Sequence, residues 1–174
     1  MVSPPPPAQY GLIRRQVLGN ATEALQAMGY YDSTLALSAD VQSDSCTHAP
    51  LDVQTGPPVI LKRADIRISG EAAADPAFQQ LIEQSRLRLD ERLEHEQYTR
   101  LKKALQQNLI NRGYLEGRLT RNILKVDTQS RHAYIELEVL SGPRYRFGEV
   151  TLTGSGLNDD LVRAYVRFQE GSPY

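Results

Sequence analysis

The chain has little of what most site chemistries need. One cysteine, Cys46, excludes an intramolecular disulfide. There is no tryptophan, and the three histidines, His48, His95 and His132, lie far apart with no second ligand at metal-binding spacing. Read as a loop, helix-start and strand residue respectively, each histidine is taken as incidental surface, and Cys46 as a passive loop thiol. Acidic and basic side chains nearly cancel to a formal charge of −1, so no net field draws the whole chain to nucleic acid or anionic lipid. No apolar run approaches the roughly 18 residues of a membrane helix. The opening MVSPPPPAQ has neither a basic start nor an apolar centre, so it does not read as a signal peptide; its prolines favour an extended tail over residues 1–7. No Walker or dinucleotide fingerprint occurs. Gly154-Ser155-Gly156 lacks a following lysine and reads as a turn. Glu91, Glu94 and Glu96 lie in a charge-rich stretch over Arg86–Glu96 that reads as a solvated loop.

What is present is periodicity. Tyr98, Leu101, Leu105 and Leu109, widened by Ile110, line one face of a helix that Gly113 stops. A strand near Arg118–Val126 follows. Then Ala133, Ile135, Leu137 and Val139 alternate with His132, Tyr134, Glu136 and Glu138, the pattern of a half-buried strand. A weaker copy comes earlier. A helix over about Leu12–Met28 ends at Gly29-Tyr30, and strands follow near Ser33–Val41 and Leu51–Thr55. The Gly-Tyr pairs at 29 and 113 are 84 positions apart, as are Gly70 and Gly154; Gly56-Pro57 and Gly142-Pro143 are 86 apart. Self-similarity at a fixed period signals an array of modules.

Between the Gly-Pro landmarks the order is strand, helix, helix, strand, strand: a strand over Val59–Ser69, a short helix capped by Asp75-Pro76 and carrying Phe78, Leu81 and Ile82, the long helix, and two strands. We therefore expect an α+β chain of tandem β-α-α-β-β modules. Residues 8–55 hold the α-β-β end of a first module, 56–140 a complete second, and 141–174 the β-α start of a third. The third is expected to have a strand carrying Tyr145, Phe147, Val150 and Leu152, with a bulge at Gly148. A helix capped at Asn158 or Asp159 is expected to hold Leu161, Val162 and Tyr165. Both end modules thus read as truncated, and their halves are complementary. That suggests a swapped dimer in which one chain's tail completes another's head.

Two sets of residues are candidates for function. Arg118, Thr120, Arg121, Asn122 and Lys125 place charge and polarity on a poorly alternating strand, which suits a sheet edge open to an extended client peptide. Gly29, Tyr30, Gly56, Gly113, Tyr114, Gly142, Pro143 and Tyr145, with Tyr31, fall at the module joints; their tyrosines are expected to pack buried between modules, and the functional alternative is that they set the joint angle. An RNA-binding βααβ module is disfavoured by the lack of a GXXG loop and a basic face. A small hydrolase is disfavoured by the lack of a nucleophile, base and orienter set.

The segments ALQAMGYYDSTL (24–35), TGPPV with DIRISGEAAAD (55–75), LEHEQYTRLKKAL with RGYLEG (93–117), SGPRYRFGEVTLTGSGL (141–157) and FQEGSPY (168–174) resemble polypeptide-transport-associated (POTRA) domains, and most nearly those of the TamA family of translocation and assembly modules. The resemblance covers nearly everything after residue 8. It implies two helices covering a three-stranded mixed sheet in each module, a place at the periplasmic face of the Gram-negative outer membrane, and a C-terminal membrane barrel outside this sequence. It further implies clients that are outer-membrane proteins or autotransporters, and an inner-membrane-anchored, TamB-like partner subunit. No catalytic residue, cofactor, metal or nucleic acid belongs to it. A related barrel-assembly or two-partner secretion transporter is the neighbouring reading.

Overall fold

The computed structural model describes residues 7–38, 50–151 and 165–174. Helix α1 spans Pro7–Ala27, followed by β1 Thr34–Leu37 and β2 Leu51–Gln54. Then come β3 Ile60–Ser69, a 3-10 turn Glu71–Ala74, α2 Pro76–Glu83, α3 His95–Asn111, β4 Arg118–Asp127 and β5 His132–Leu140. The α+β class and the β-α-α-β-β order from β3 to β5 are as expected.

β1 and β2 form an antiparallel pair with Leu35 opposite Val53 and Leu37 opposite Leu51. The other sheet has the order β3-β5-β4. β3 and β5 run in the same direction: the Ile60 N–H bonds to Arg131 O at one end, and the Ser141 N–H to Ser69 O at the other. β4 and β5 are a hairpin. Asp127 Oδ1 accepts the Gln129 and Ser130 N–H groups and closes the turn. The sheet is therefore mixed, with β5 in the centre and buried at every second residue.

Two compact units divide the contacts. The first comprises Met1–Ala64, Leu87–Tyr98 and Leu124–Ile135, and buries Val59, Leu61, Leu93, Tyr98, Ala133 and Ile135. The second comprises Asp65–Arg86, Thr99–Ile123 and Glu136–Tyr174. Its core is Phe78, Leu101, Leu105, Leu109, Tyr114, Leu137 and Val139, with Phe78 edge-on to Tyr114 at 5.8 Å between centroids. α2 starts where Asp75 accepts the Ala77 N–H at 3.1 Å and Pro76 occupies the first turn.

Several expectations are corrected. The Arg86–Glu96 stretch is not simply a solvated loop. Its Asp90–Leu93 segment hydrogen-bonds along the start of β3, where Leu61 N donates to Glu91 O and Leu93 N to Val59 O. Among the described residues the third strand is a single bridge, Arg146 to Pro173, with ladder bonds that end at Phe147. Of the joint tyrosines only Tyr114 is buried; Tyr30 and Tyr31 are half-buried and Tyr145 is exposed, as is Tyr165. His95 is half-buried, not incidental surface: its Nε2 shares a 2.7 Å hydrogen bond with Tyr31 Oη. Cys46, His48, Leu152, Gly154 to Gly156 and the 158–162 helix start lie outside the described residues.

Candidate functional site

β4 is one edge of the three-stranded sheet, and no described strand lies on its outer side. Arg118, Thr120, Arg121, Asn122 and Lys125 are all exposed along it. Two of these side chains turn back across the sheet instead of outward. Thr120 Oγ1 donates to Glu138 O at 3.3 Å, and Arg121 Nε pairs with the Glu136 carboxylate on central β5. What β4 offers a partner is therefore mainly its backbone, flanked by the exposed Ile123 and by polar groups. β3 is the other edge, but its opening residues are already covered by the segment ending at Leu93.

The Gly-Tyr and Gly-Pro landmarks come together in space, twice, with the same bonds. In the first unit α1 closes with the Tyr30 N–H on Leu25 O; in the second α3 closes with the Tyr114 N–H on Leu109 O, both 2.8 Å. Each closure needs a left-handed glycine, Gly29 at φ 88° and Gly113 at φ 80°. The carbonyl of each glycine then accepts the amide three residues after the Gly-Pro glycine: Val59 N–H to Gly29 O at 2.8 Å, and Tyr145 N–H to Gly113 O at 2.7 Å. Beside each lies a short antiparallel ladder, Val59–Leu61 with 90–93 and Tyr145–Phe147 with 171–174. The returning side of each ladder carries a residue with positive φ, Asp90 in one and Gly171 in the other. Gly56 and Gly142 also have positive φ, and Pro143 is exposed beside Gly142.

Side chains fasten each joint. In the first, Arg92 Nη1 donates to Tyr30 Oη at 3.0 Å with its guanidinium 5.4 Å from the ring centroid, and Arg92 Nη2 reaches Glu94. In the second, the Arg144 guanidinium lies 5.8 Å from the Tyr114 ring centroid and its Nε donates to Arg112 O. Tyr145 Oη donates to Glu116 at 2.6 Å, which raises the phenol pKa. Below this joint Asp75 is buried. Burial pushes its carboxyl up, but the bonds from Arg112 Nε, the Ala77 amide and Tyr114 Oη outweigh that and hold it below its ordinary value. Sequence reasoning found the glycines and tyrosines but not Arg92, Arg144 or the Asp75 network, because those depend on which distant segments become neighbours. The one local signal was Asp75 as a helix cap.

No family model matches the chain. The crystal structure of Haemophilus influenzae BamA POTRA3-5 superposes with a TM-score of 0.50 at 20% sequence identity, over 92% of this chain and 63% of that one. The fold is that of POTRA domains. BamA from Haemophilus ducreyi lacking POTRA domains 1-3 is also similar, with a TM-score of 0.43 and 14% identity over 83% of this chain and 26% of that one. This chain thus spans less than two thirds of the Haemophilus influenzae structure it matches. Among the described residues no group of histidine, cysteine and acidic side chains is arranged to hold a metal ion, and no helix is long and apolar enough to cross a membrane.

Proposed function

We propose that this chain is a run of tandem POTRA repeats from an outer-membrane barrel assembly or translocation factor of the TamA type, acting in the periplasm as a scaffold. Its work on this reading is binding. An extended segment of an unfolded outer-membrane or autotransporter client adds to β4 as a further strand, and an inner-membrane-anchored, TamB-like subunit engages the repeats. The observation that carries the reading is β4 itself, a 10-residue strand with no described neighbour on its outer side, in a POTRA fold. Backbone pairing at such an edge accepts many client sequences, as an assembly factor requires. The Arg118 and Lys125 charges keep the same edge from pairing with other copies. Photo-crosslinkers at Thr120 and Asn122 test this with an unfolded barrel precursor. Adducts at both positions, and none with a soluble control, are expected; adducts confined to other surfaces would overturn the edge proposal.

A further inference from the structure

The two joints are built alike, yet their arginines come from opposite sides of the ladder. Aligning the bonded positions sets Pro58 against Arg144 and Arg92 against Pro173. In the first joint the strand entering from Gly56-Pro57 carries proline, and the returning segment carries Arg92. In the second joint the entering strand carries Arg144, and the returning segment carries Pro173. Either way a single guanidinium ends over the ring of the Gly-Tyr tyrosine, 5.4 Å from the Tyr30 centroid and 5.8 Å from that of Tyr114.

We propose that this guanidinium-on-tyrosine clamp is the fastening that holds each joint shut, that Arg92 and Arg144 are its positioning residues, and that either strand of the ladder can supply it. The clamp spans the three pieces that meet there. The tyrosine belongs to the helix closure, and the arginine to one side of the ladder. Between them runs the glycine carbonyl that receives the Val59 or Tyr145 amide. A cation over an aromatic face is attractive, and in the first joint a hydrogen bond to the phenol adds to it. The position on the other strand that corresponds to the arginine of the other joint is proline in both cases, and proline carries no guanidinium, so each joint has one arginine from this pair of positions. The inference stands whether or not a client pairs with β4.

Amide hydrogen exchange reads joint opening directly, at Val59 for the first joint and Tyr145 for the second, with buried Leu105 of α3 as the reference for global unfolding. Arg92→Ala is expected to speed exchange at Val59 by about fivefold or more, leaving Tyr145 and Leu105 unchanged. Arg144→Ala is expected to do the reverse. The exchanged pair Pro58→Arg with Arg92→Pro is expected to restore Val59 protection. Arg92→Met keeps the stem without the charge and is expected to behave like Arg92→Ala. Glu94→Gln is expected to leave Val59 protected. Protection at Val59 that survives Arg92→Ala or Arg92→Met would overturn the clamp. So would a folded exchanged pair in which Val59 stays fast. If that pair does not fold, the single variants decide alone.

Discussion

Asp75 caps α2, accepts from Arg112 and accepts from Tyr114, all while buried. Removing it strips a helix cap and leaves a guanidinium and a phenol without their acceptor. Asp75→Ala is expected to cost about 2–4 kcal/mol in chemical denaturation. Because the folded pKa is depressed, the stabilisation is present above the unfolded carboxylate value near 4 and is lost as pH falls through the folded value. A titration of unfolding free energy should therefore drop on the acid side, and Asp75→Asn should flatten that part of the curve. Gly29 is as constrained: a Cβ there would lie 2.5 Å from Leu93 O, on a backbone at φ 88°. Gly29→Ala is expected to lower stability by about 2 kcal/mol or more, whereas Gly11→Ala, with open space around it, is expected to be neutral or stabilising. The need for Gly29, and for Gly113 in the second unit, could be read from the chain, since each ends an amphipathic run and precedes tyrosine. The reason Gly29 admits nothing larger could not, because Leu93 lies far along the sequence.

At the scale of elements, repeat-equivalent positions meet different surroundings. Leu101 on α3 and Val17 on α1 are 84 positions apart, the spacing of the Gly-Tyr pairs; Leu101 is 3% exposed and Val17 is 39% exposed. Leu101→Ala is expected to cost about 2–5 kcal/mol, and Val17→Ala less than about 1 kcal/mol, by thermal or urea unfolding. The strands repeat the contrast. β5 has neighbours on both sides, and Val139 is buried; among the described strands β2 pairs only with β1, and Val53 is exposed. α3 and β5 were legible because burial on one face imposes a period on the sequence. The ladder at 90–93 was not, because backbone pairing leaves no side-chain pattern and the charged residues there resemble a loop. β4 is also predicted to guard itself by charge. Replacing Arg118 and Lys125 with threonine is expected to produce concentration-dependent association in sedimentation, with the helical signal unchanged.

Across the whole molecule the repeat was visible as three landmarks in order, and the structure gives two of them a physical meaning: the Gly-Tyr and Gly-Pro segments meet at each joint, while Gly154 of the third lies outside the described residues. Each compact unit contains one joint, with its glycine closure, its ladder and its arginine. The β4 edge was legible only as a strand with too much charge to be central; that it lies beside β5 required the sheet order. The most direct test of the binding account is a nuclear magnetic resonance titration of the labelled chain with an unfolded outer-membrane precursor, with single-stranded RNA as the comparison. The account predicts that amides across β4, residues 118–127, shift and gain protection together with the precursor and stay still with RNA. Shifts that avoid β4, or RNA binding at least as strong as precursor binding, would contradict it.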